Sequence, residues 1–233
     1  MPALDLPAWL LTGAWAALLF GGFLFGGRPG NALRRMPGWT RLGSSAVLVL
    51  LGWYGFGLAK GQGLGVYAGL MALGMSAGFL GDLFMAGALP APNRVLAGMG
   101  AFGLGHILYI GAMLWFAGPV WWTIALWLGV DLLLFYLLLV RGRQPDGLTW
   151  AALGYSLLLA STAGVGLGLA VQEPIFAGLA VGAGLFLISD LLIALDLFAH
   201  RRLPLHDDLV WLLYGPGQLL IVLSIWGAMQ VRP

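Results

Sequence analysis

Cysteine, charge and histidine are all scarce in this sequence. Its 233 residues include no cysteine, which excludes a disulfide framework, thiol catalysis and thiolate metal sites. The 11 Lys and Arg and the 9 Asp and Glu make up 9% of the chain and form no basic stripe, which excludes a nucleic-acid partner. Two of the 3 histidines lie in one charged loop, and no His-Glu-x-x-His sequence occurs. A metal site and a zincin membrane protease are therefore not expected.

Apolar residues, by contrast, make up 61% of the chain and occur in long runs. One soluble core could not bury that much apolar surface, so the expected solvent is a lipid bilayer. A membrane helix needs about 20 apolar residues and a barrel strand only about 10, and the length of these runs favours helices. The predicted fold is all-α, a polytopic bundle of eight transmembrane helices at about 7–26, 42–59, 64–86, 95–117, 119–140, 148–170, 174–198 and 209–230. Because these spans use most of the chain, we expect a single integral membrane domain over residues 1–233.

Basic residues lie almost entirely on one side of the predicted bundle. The opposite side holds only Lys60 and Arg232. Cytoplasmic loops retain Lys and Arg during insertion, so both termini are predicted to lie outside the cytoplasm. The frequent use of Trp, Gly and Arg favours a bacterial origin, so the expected location of the protein is the bacterial inner membrane. The loops after the first, third, fifth and seventh helices hold Arg28, Arg34, Arg35, Arg41, Arg94, Arg141, Arg143, Arg201 and Arg202.

Several polar residues lie inside the apolar runs, where a membrane helix seldom carries them. A carboxylate at such a depth costs several kcal/mol unless it faces protein or water. Each one is therefore expected to have a hydrogen-bonding partner or a functional role. With a rise of about 1.5 Å per residue, these residues lie about 6 to 16 Å from the cytoplasmic helix ends. The sequence therefore predicts one polar cavity that opens toward the cytoplasmic leaflet. The residues are Asp82, His106, Asp131, Asp190, Tyr214 and Gln218.

Four short motifs follow one another between about Gly69 and Ser224. The third predicted helix carries Gly81-Asp82, and the fourth carries Gly100-Ala101-Phe102 followed by His106-x-x-Tyr109. The seventh carries Phe186-Leu187-Ile188-Ser189-Asp190-Leu191, and the eighth carries Tyr214-x-x-x-Gln218. In these motifs and their order, the chain resembles the YhhN-like lysoplasmalogenase family.

This resemblance implies an eight-helix membrane hydrolase that cleaves the vinyl ether bond of lysoplasmalogens. The products would be a fatty aldehyde and glycerophosphoethanolamine or glycerophosphocholine. The resemblance also implies that Asp82 and Asp190 form the catalytic pair, and it implies no metal or organic cofactor. The expected partners are a lysophospholipid substrate and membrane lipid. We expect the carboxyls, the water and the glycerol hydroxyl to be oriented by His106, Tyr109, Tyr214 and Gln218.

Vinyl ether hydrolysis gives two acids distinct tasks. It begins with proton delivery to carbon, which forms an oxocarbenium ion; water then adds, and the hemiacetal collapses to aldehyde and alcohol. A carboxyl buried in a membrane is disfavoured as an anion, so it can retain the proton that the first step requires. A second, ionised carboxylate could stabilise the cation or activate water. We favour Asp190, the deeper residue, as the acid and Asp82 as the base or cation stabiliser.

Each candidate also has a structural interpretation. Asp82 lies close enough to a helix end to be solvated, and Asp190 and the neutral polar side chains could join neighbouring helices by hydrogen bonds. Asp131 belongs to no motif and is expected to be structural. The basic residues are expected chiefly to determine topology, with lipid-phosphate binding as the alternative for one of Arg41, Arg94, Arg201 and Arg202.

Two rival functions fit a polar cavity in a helical bundle. An intramembrane aspartyl protease also uses two aspartates on neighbouring helices, but its usual Tyr-Asp and Gly-x-Gly-Asp pairing is absent, since the acids here follow Gly81 and Ser189. A non-catalytic lipid-binding protein or a small-solute carrier would use the same cavity without chemistry. Release of free aldehyde from a lysoplasmenyl lipid would distinguish the hydrolase from these rivals.

Overall fold

A computed structural model describes residues 4–27, 34–142 and 144–231. Within these ranges the regular secondary structure is entirely helical, as predicted. The basic residues Arg28, Arg143 and Arg232 lie outside the described residues. The helices are α1 (Leu6–Phe25), α2 (Gly38–Ala59), α3 (Gly65–Met85), α4 (Arg94–Phe116), α5 (Trp121–Phe135), α6 (Gly147–Gln172), α7 (Ala177–Ala199) and α8 (His206–Val231).

These eight helices, with the short helical turns that extend some of them, are long and apolar enough to cross a membrane. Large apolar side chains cover their outer surfaces. Trp9, Trp121 and Trp150 lie near helix ends with exposed fractions of 57%, 73% and 53%. Tryptophan at such positions is typical of the two membrane–water interfaces. The chain is therefore an integral membrane protein of eight helices in the part that the structure describes.

Two helices begin earlier than the sequence predicts. α2 begins at Gly38 instead of about residue 42, which places Arg41 in its first turn. α8 begins at His206 instead of about residue 209, and its first turn carries Asp207 and Asp208. The charged residues at these two positions were expected to lie in loops. At the start of α8, however, the unpaired N–H groups of the helix N-terminus stabilise the carboxylates. A helix can therefore begin among the acidic residues.

The fifth predicted span changes helical geometry near its end. α5 ends at Phe135, and a π-helical turn over Tyr136–Val140 completes the span. A π-turn adds a residue to the helical repeat and alters which side chains face inward. Leu139 on this turn is buried.

Glycine allows the closest helix contacts. A Cβ atom at Gly182 on α7 would lie 2.6 Å from the carbonyl oxygen of Gly217 on α8, so only hydrogen fits there. Gly78 on α3 makes room for a side chain instead, because a Cβ atom there would lie 2.7 Å from Nε2 of Gln218. Small residues thus bring helix backbones together and leave space for a polar side chain between them.

Five helices surround the polar centre of the bundle. α3 packs on α4 and α8, α4 packs on α6, α6 packs on α7, and α7 packs on α8. α5 packs against the outer side of α6, and α1 packs against α2. Inside the ring, Phe186 makes aromatic contacts with Phe102, His106 and Tyr214 at centroid distances of 6.1, 4.7 and 5.0 Å. Phe186 on α7 thus packs against aromatic rings of both α4 and α8.

Candidate active site

Asp82 is held by hydrogen bonds from two other helices. It lies on α3, and only 5% of its surface is exposed. Its Oδ2 accepts one hydrogen bond from Oγ of Ser45 on α2 at 2.5 Å and another from Oη of Tyr214 on α8 at 2.9 Å. Two donated hydrogen bonds favour the ionised form of a carboxyl group. Among the described residues, no group donates to the second oxygen, Oδ1.

A chain of hydrogen bonds extends from Asp82 into the bundle. Tyr214, which donates to Asp82, accepts a hydrogen bond from Nε2 of Gln218 at 3.3 Å. Oε1 of Gln218 accepts in turn from Oη of Tyr109 on α4 at 2.9 Å. Gln218 is completely buried, so both ends of its amide depend on these partners. The chain fixes the orientation of the Tyr214 hydroxyl toward Asp82.

Asp190 has a different environment from Asp82. It lies on α7, is partly exposed, and its Oδ2 accepts a hydrogen bond from Oη of Tyr155 on α6. The Tyr155 ring also contacts the His106 ring at a centroid distance of 6.0 Å. Asp190 thus has one hydroxyl donor, whereas Asp82 has two.

One cavity of about 560 Å³ is lined by both aspartates and by Tyr214. Its volume is within the range of about 300–1,000 Å³ that is usual for small-molecule sites. The cavity lies at the end of the bundle where the loops before α2, after α3 and before α8 emerge, because Arg34, Gly87 and His206 also line it. This end of the bundle carries most of the basic residues.

A smaller, mainly apolar pocket of about 100 Å³ adjoins this cavity. Phe102 and Asp190 line both spaces, so Asp190 stands at their boundary. Asp131 also lines the apolar pocket, where its Oδ2 accepts a hydrogen bond from Ser156 at 2.9 Å. The other walls come from α4, α5 with its π-turn, α6 and α7, and include Met99, Leu134, Phe135, Leu139, Leu159 and Leu187.

The four expected orienting residues occupy different places. Tyr214 lines the cavity, whereas Tyr109 and Gln218 reach Asp82 only through the hydrogen-bond chain. His106 is 2% exposed, and its Nδ1 lies 3.0 Å from Oγ1 of Thr162 on α6. Its Nε2 is buried without a hydrogen-bond partner among the described residues. His106 therefore packs beside Phe186 and Tyr155 and does not hydrogen-bond either candidate carboxyl.

Ser45 and Tyr155 are the two carboxyl partners that sequence reasoning missed. Ser45 is 2% exposed on α2, and Tyr155 lies on α6, two helices that carry none of the motifs. The available signal was a serine and a tyrosine inside apolar runs. Such residues also join membrane helices by hydrogen bonds, so their presence alone does not assign them to a site.

A serine nucleophile and a metal cluster are the other common hydrolase sites. Gly74 to Gly78 form a Gly-x-Ser-x-Gly sequence, but this stretch lies within α3 and not at the strand-to-helix turn of a nucleophile elbow. Ser76 donates to the carbonyl of Ala72 at 2.8 Å and accepts from Nε1 of Trp53 at 3.1 Å, and neither partner is a base. In residues 4–27, 34–142 and 144–231, no three His, Asp or Glu side chains are grouped to hold a metal ion.

The fold and the cavity define an integral membrane helical bundle in which two carboxyl groups line one cavity near one end. The family model that matches the chain is that of the YhhN family, over residues 40–225. The match extends from α2 into α8 and covers every helix that lines the cavity. The chain belongs to the YhhN family, which confirms the resemblance seen in its motifs. No curated protein and no solved structure matches it.

Proposed function

We propose that the protein is a lysoplasmalogenase, a hydrolase that cleaves the vinyl ether bond of a lysoplasmalogen. The observation that carries the proposal is that Asp82 and Asp190 line one polar cavity, while Asp190 also borders an apolar pocket. Membership of the YhhN family supports a membrane hydrolase. A single-chain ether lipid has its reactive bond at the junction of its polar and apolar parts, which corresponds to the position of Asp190.

The two spaces suggest how the lipid would be bound. The glycerol and headgroup would occupy the polar cavity, and the alkenyl chain would enter the apolar pocket between Phe102 and Asp190. The vinyl ether would then lie beside Asp190, with Asp82 and Tyr214 across the cavity. Apolar contacts along the tail would hold the reacting carbon in place during proton transfer.

The different hydrogen bonding of the two carboxyls suggests their roles. Asp190 would deliver its proton to the outer vinyl carbon, and the electron pair of the double bond would form the new C–H bond. Asp82, with two hydroxyl donors, would remain ionised, stabilise the oxocarbenium ion and accept a proton from the attacking water. The hemiacetal would then break its bond to the glycerol oxygen. Asp82 would give its proton to that oxygen, and Asp190 would take the proton of the hemiacetal hydroxyl as the aldehyde leaves.

The location of the cavity suggests which leaflet supplies the substrate. Its mouth lies at the end of the bundle that carries Arg34, Arg41 and Arg94. The positive-inside rule assigns this end to the cytoplasm. We therefore propose an inner-membrane enzyme of a bacterium that takes lysophospholipid from the cytoplasmic leaflet, with both termini on the opposite side.

Aldehyde release from purified protein tests this proposal. Protein in lipid nanodiscs would be incubated in D₂O with a lysoplasmenyl-ethanolamine, and the aldehyde trapped at once by reduction. We expect one fatty alcohol per lipid, with one solvent deuterium on the carbon next to the carbinol. The saturated alkyl ether analogue should release none, because it cannot be protonated at carbon. Uptake of lipid into proteoliposomes without any aldehyde would support a carrier and overturn the hydrolase assignment.

A further inference from the structure

Arg41 presents a guanidinium group to the polar cavity, and no carboxylate of the described residues forms an ion pair with it. The residue lines the cavity, and its Nε is buried with no hydrogen-bond partner among the described residues. The ion pair found in the described part of the chain joins Arg202 to Asp196 at 2.5 Å. A buried donor without an acceptor carries a desolvation penalty, which a bound anion would remove.

The fold fixes Arg41 in a definite position relative to the carboxyls. Its Cζ lies 5.6 Å from the centre of the Trp211 ring, a cation–π distance. The Trp211 ring contacts the Tyr214 ring at a centroid distance of 5.3 Å, and Tyr214 hydrogen-bonds Asp82. Trp211 and Tyr214 are three residues apart on α8, a rise of about 4.5 Å. The guanidinium therefore lies about one helical turn toward the cavity mouth from the Asp82 site.

Three carboxyls lie near Arg41, those of Asp82, Asp207 and Asp208, and none of them forms an ion pair with it in the part of the chain that the structure describes. Asp82 accepts hydrogen bonds from Ser45 and Tyr214. Asp208 accepts hydrogen bonds from the backbone amides of Arg35 and Met36 at 2.5 and 2.9 Å. Asp196 is paired with Arg202. Asp207 lines the cavity but lies beyond ion-pair distance of Arg41. The guanidinium thus remains available to an anion that enters the cavity.

We propose that Arg41 binds the phosphate of a lysophospholipid headgroup, so that phosphate is a recognised part of the substrate. This inference rests on the proposed function for the identity of the lipid. In such a lipid, the phosphate and the vinyl ether are attached to opposite ends of a three-carbon glycerol unit. A phosphate on Arg41 therefore places the ether deeper in the cavity, toward the carboxyls. A guanidinium also suits a phosphate because it can donate two parallel hydrogen bonds.

Arg41→Gln tests the subsite, with Arg94→Gln as the matched control. Arg94 is exposed at the start of α4, at the same end of the bundle, and does not line the cavity. For lysoplasmenyl-ethanolamine we expect Arg41→Gln to raise KM about 10- to 100-fold. For an alkenylglycerol, which has the vinyl ether but no phosphate, KM should change less than about twofold. Equal KM changes for both lipids would overturn the proposal.

A binding assay separates the failure of this subsite from the failure of the enzymatic assignment. Lysophosphatidylethanolamine, an ester lipid without a vinyl ether, would be titrated into each variant and its Kd measured. We expect Arg41→Gln to weaken binding about 10- to 100-fold, and Arg41→Lys, which keeps the charge and guards against loss of folding, to weaken it less. Unchanged Kd values in both variants would overturn the subsite even if aldehyde is released.

Competition by inorganic phosphate distinguishes the source of the anion. If the subsite serves a lipid headgroup, phosphate should displace lysophosphatidylethanolamine only at concentrations at least about 100-fold above those of the competing lipid, because it lacks the tail contacts. Displacement by phosphate at the same concentration as the lipid would overturn the headgroup assignment. Retained binding by wild-type protein that releases no aldehyde would support the anion subsite and reject the hydrolase.

Discussion

Tyr214 donates a 2.9 Å hydrogen bond from its hydroxyl to Oδ2 of Asp82, which links α8 to α3 in the wall of the polar cavity. Tyr214 is itself positioned by Gln218, so the bond has a fixed direction. It leaves Oδ1 of Asp82 without a protein donor in the described chain and thus able to accept a proton from water. The packing of α8 therefore determines the hydrogen bonding of Asp82, the residue on α3 that is proposed to act as the base.

Replacing Tyr214 by phenylalanine tests this link. Tyr214→Phe removes one of the two hydroxyl donors to Asp82 and disfavours its ionised form. We expect kcat for aldehyde release to fall about 10- to 100-fold while KM changes less than about threefold. Steady-state kinetics would measure both constants, with Tyr136→Phe, a change at an exposed tyrosine of the π-turn, as the control. A purely structural tyrosine would leave kcat unchanged.

Gly78→Ala would disturb the hydrogen-bond chain from the side of α3. The added methyl group would lie 2.7 Å from Nε2 of Gln218, so the amide must move away from Tyr214. We expect kcat to fall about 10-fold, because small displacements of positioning groups are costly to catalysis. Gly100→Ala on α4, where the added atom meets nothing within 4 Å, is the control. Equal activity of the two variants would show that the hydrogen-bond chain from Tyr109 to Tyr214 does not position Asp82.

Tyr155→Phe tests the environment of the proposed acid. Tyr155 is the hydroxyl that donates to Asp190, and its removal leaves that carboxyl free to rotate at the boundary of the two spaces. We expect kcat to fall about 10-fold through loss of orientation. The Kd for lysophosphatidylethanolamine should remain within about twofold, because phenylalanine keeps the aromatic ring that lines the apolar pocket. A weakened Kd with normal kcat would assign Tyr155 to lipid binding instead.

Ala152→Phe tests whether the apolar pocket receives the alkenyl chain. Ala152 lines this pocket on α6, and a phenyl ring there would occupy space that the tail requires. We expect activity on a long-chain lysoplasmenyl lipid to fall at least about 10-fold, with a smaller loss for a short-chain analogue. The neighbouring Ala151→Phe, at a residue that does not line the pocket, should retain the preference for chain length. Identical losses for both chain lengths would argue against a tail site.

The sequence predicts the fold closely because each helix is determined by its own long apolar run. The eight spans and their order agree with the structure to within a few residues at most ends. The starts of α2 and α8 differ because Arg41 faces a cavity and Asp208 accepts backbone amides, which are tertiary effects. Local hydropathy does not encode them.

The candidate site was only partly accessible to sequence reasoning. Tyr214 and Gln218 were both expected at the site, and the structure joins them by a hydrogen bond across one turn of α8. Ser45 and Tyr155 were not predicted, because their role depends on which helices become neighbours. The role of His106 depends on helix neighbours in the same way. Its ring contacts Thr162 on α6 and does not line the cavity. Helix neighbours are a property of the packed bundle and not of any one span.

The most direct test compares aldehyde release by Asp82→Asn, Asp190→Asn and Asp131→Asn at equal amounts of folded protein. Asp131 is a matched control because its carboxyl also accepts a hydrogen bond from a hydroxyl, but it lines only the apolar pocket and not the polar cavity. The account predicts that the first two variants lose about 100-fold or more in kcat, as expected for a missing general acid or base, and that Asp131→Asn stays within about threefold of wild type. Wild-type rates in both Asp82→Asn and Asp190→Asn would contradict it.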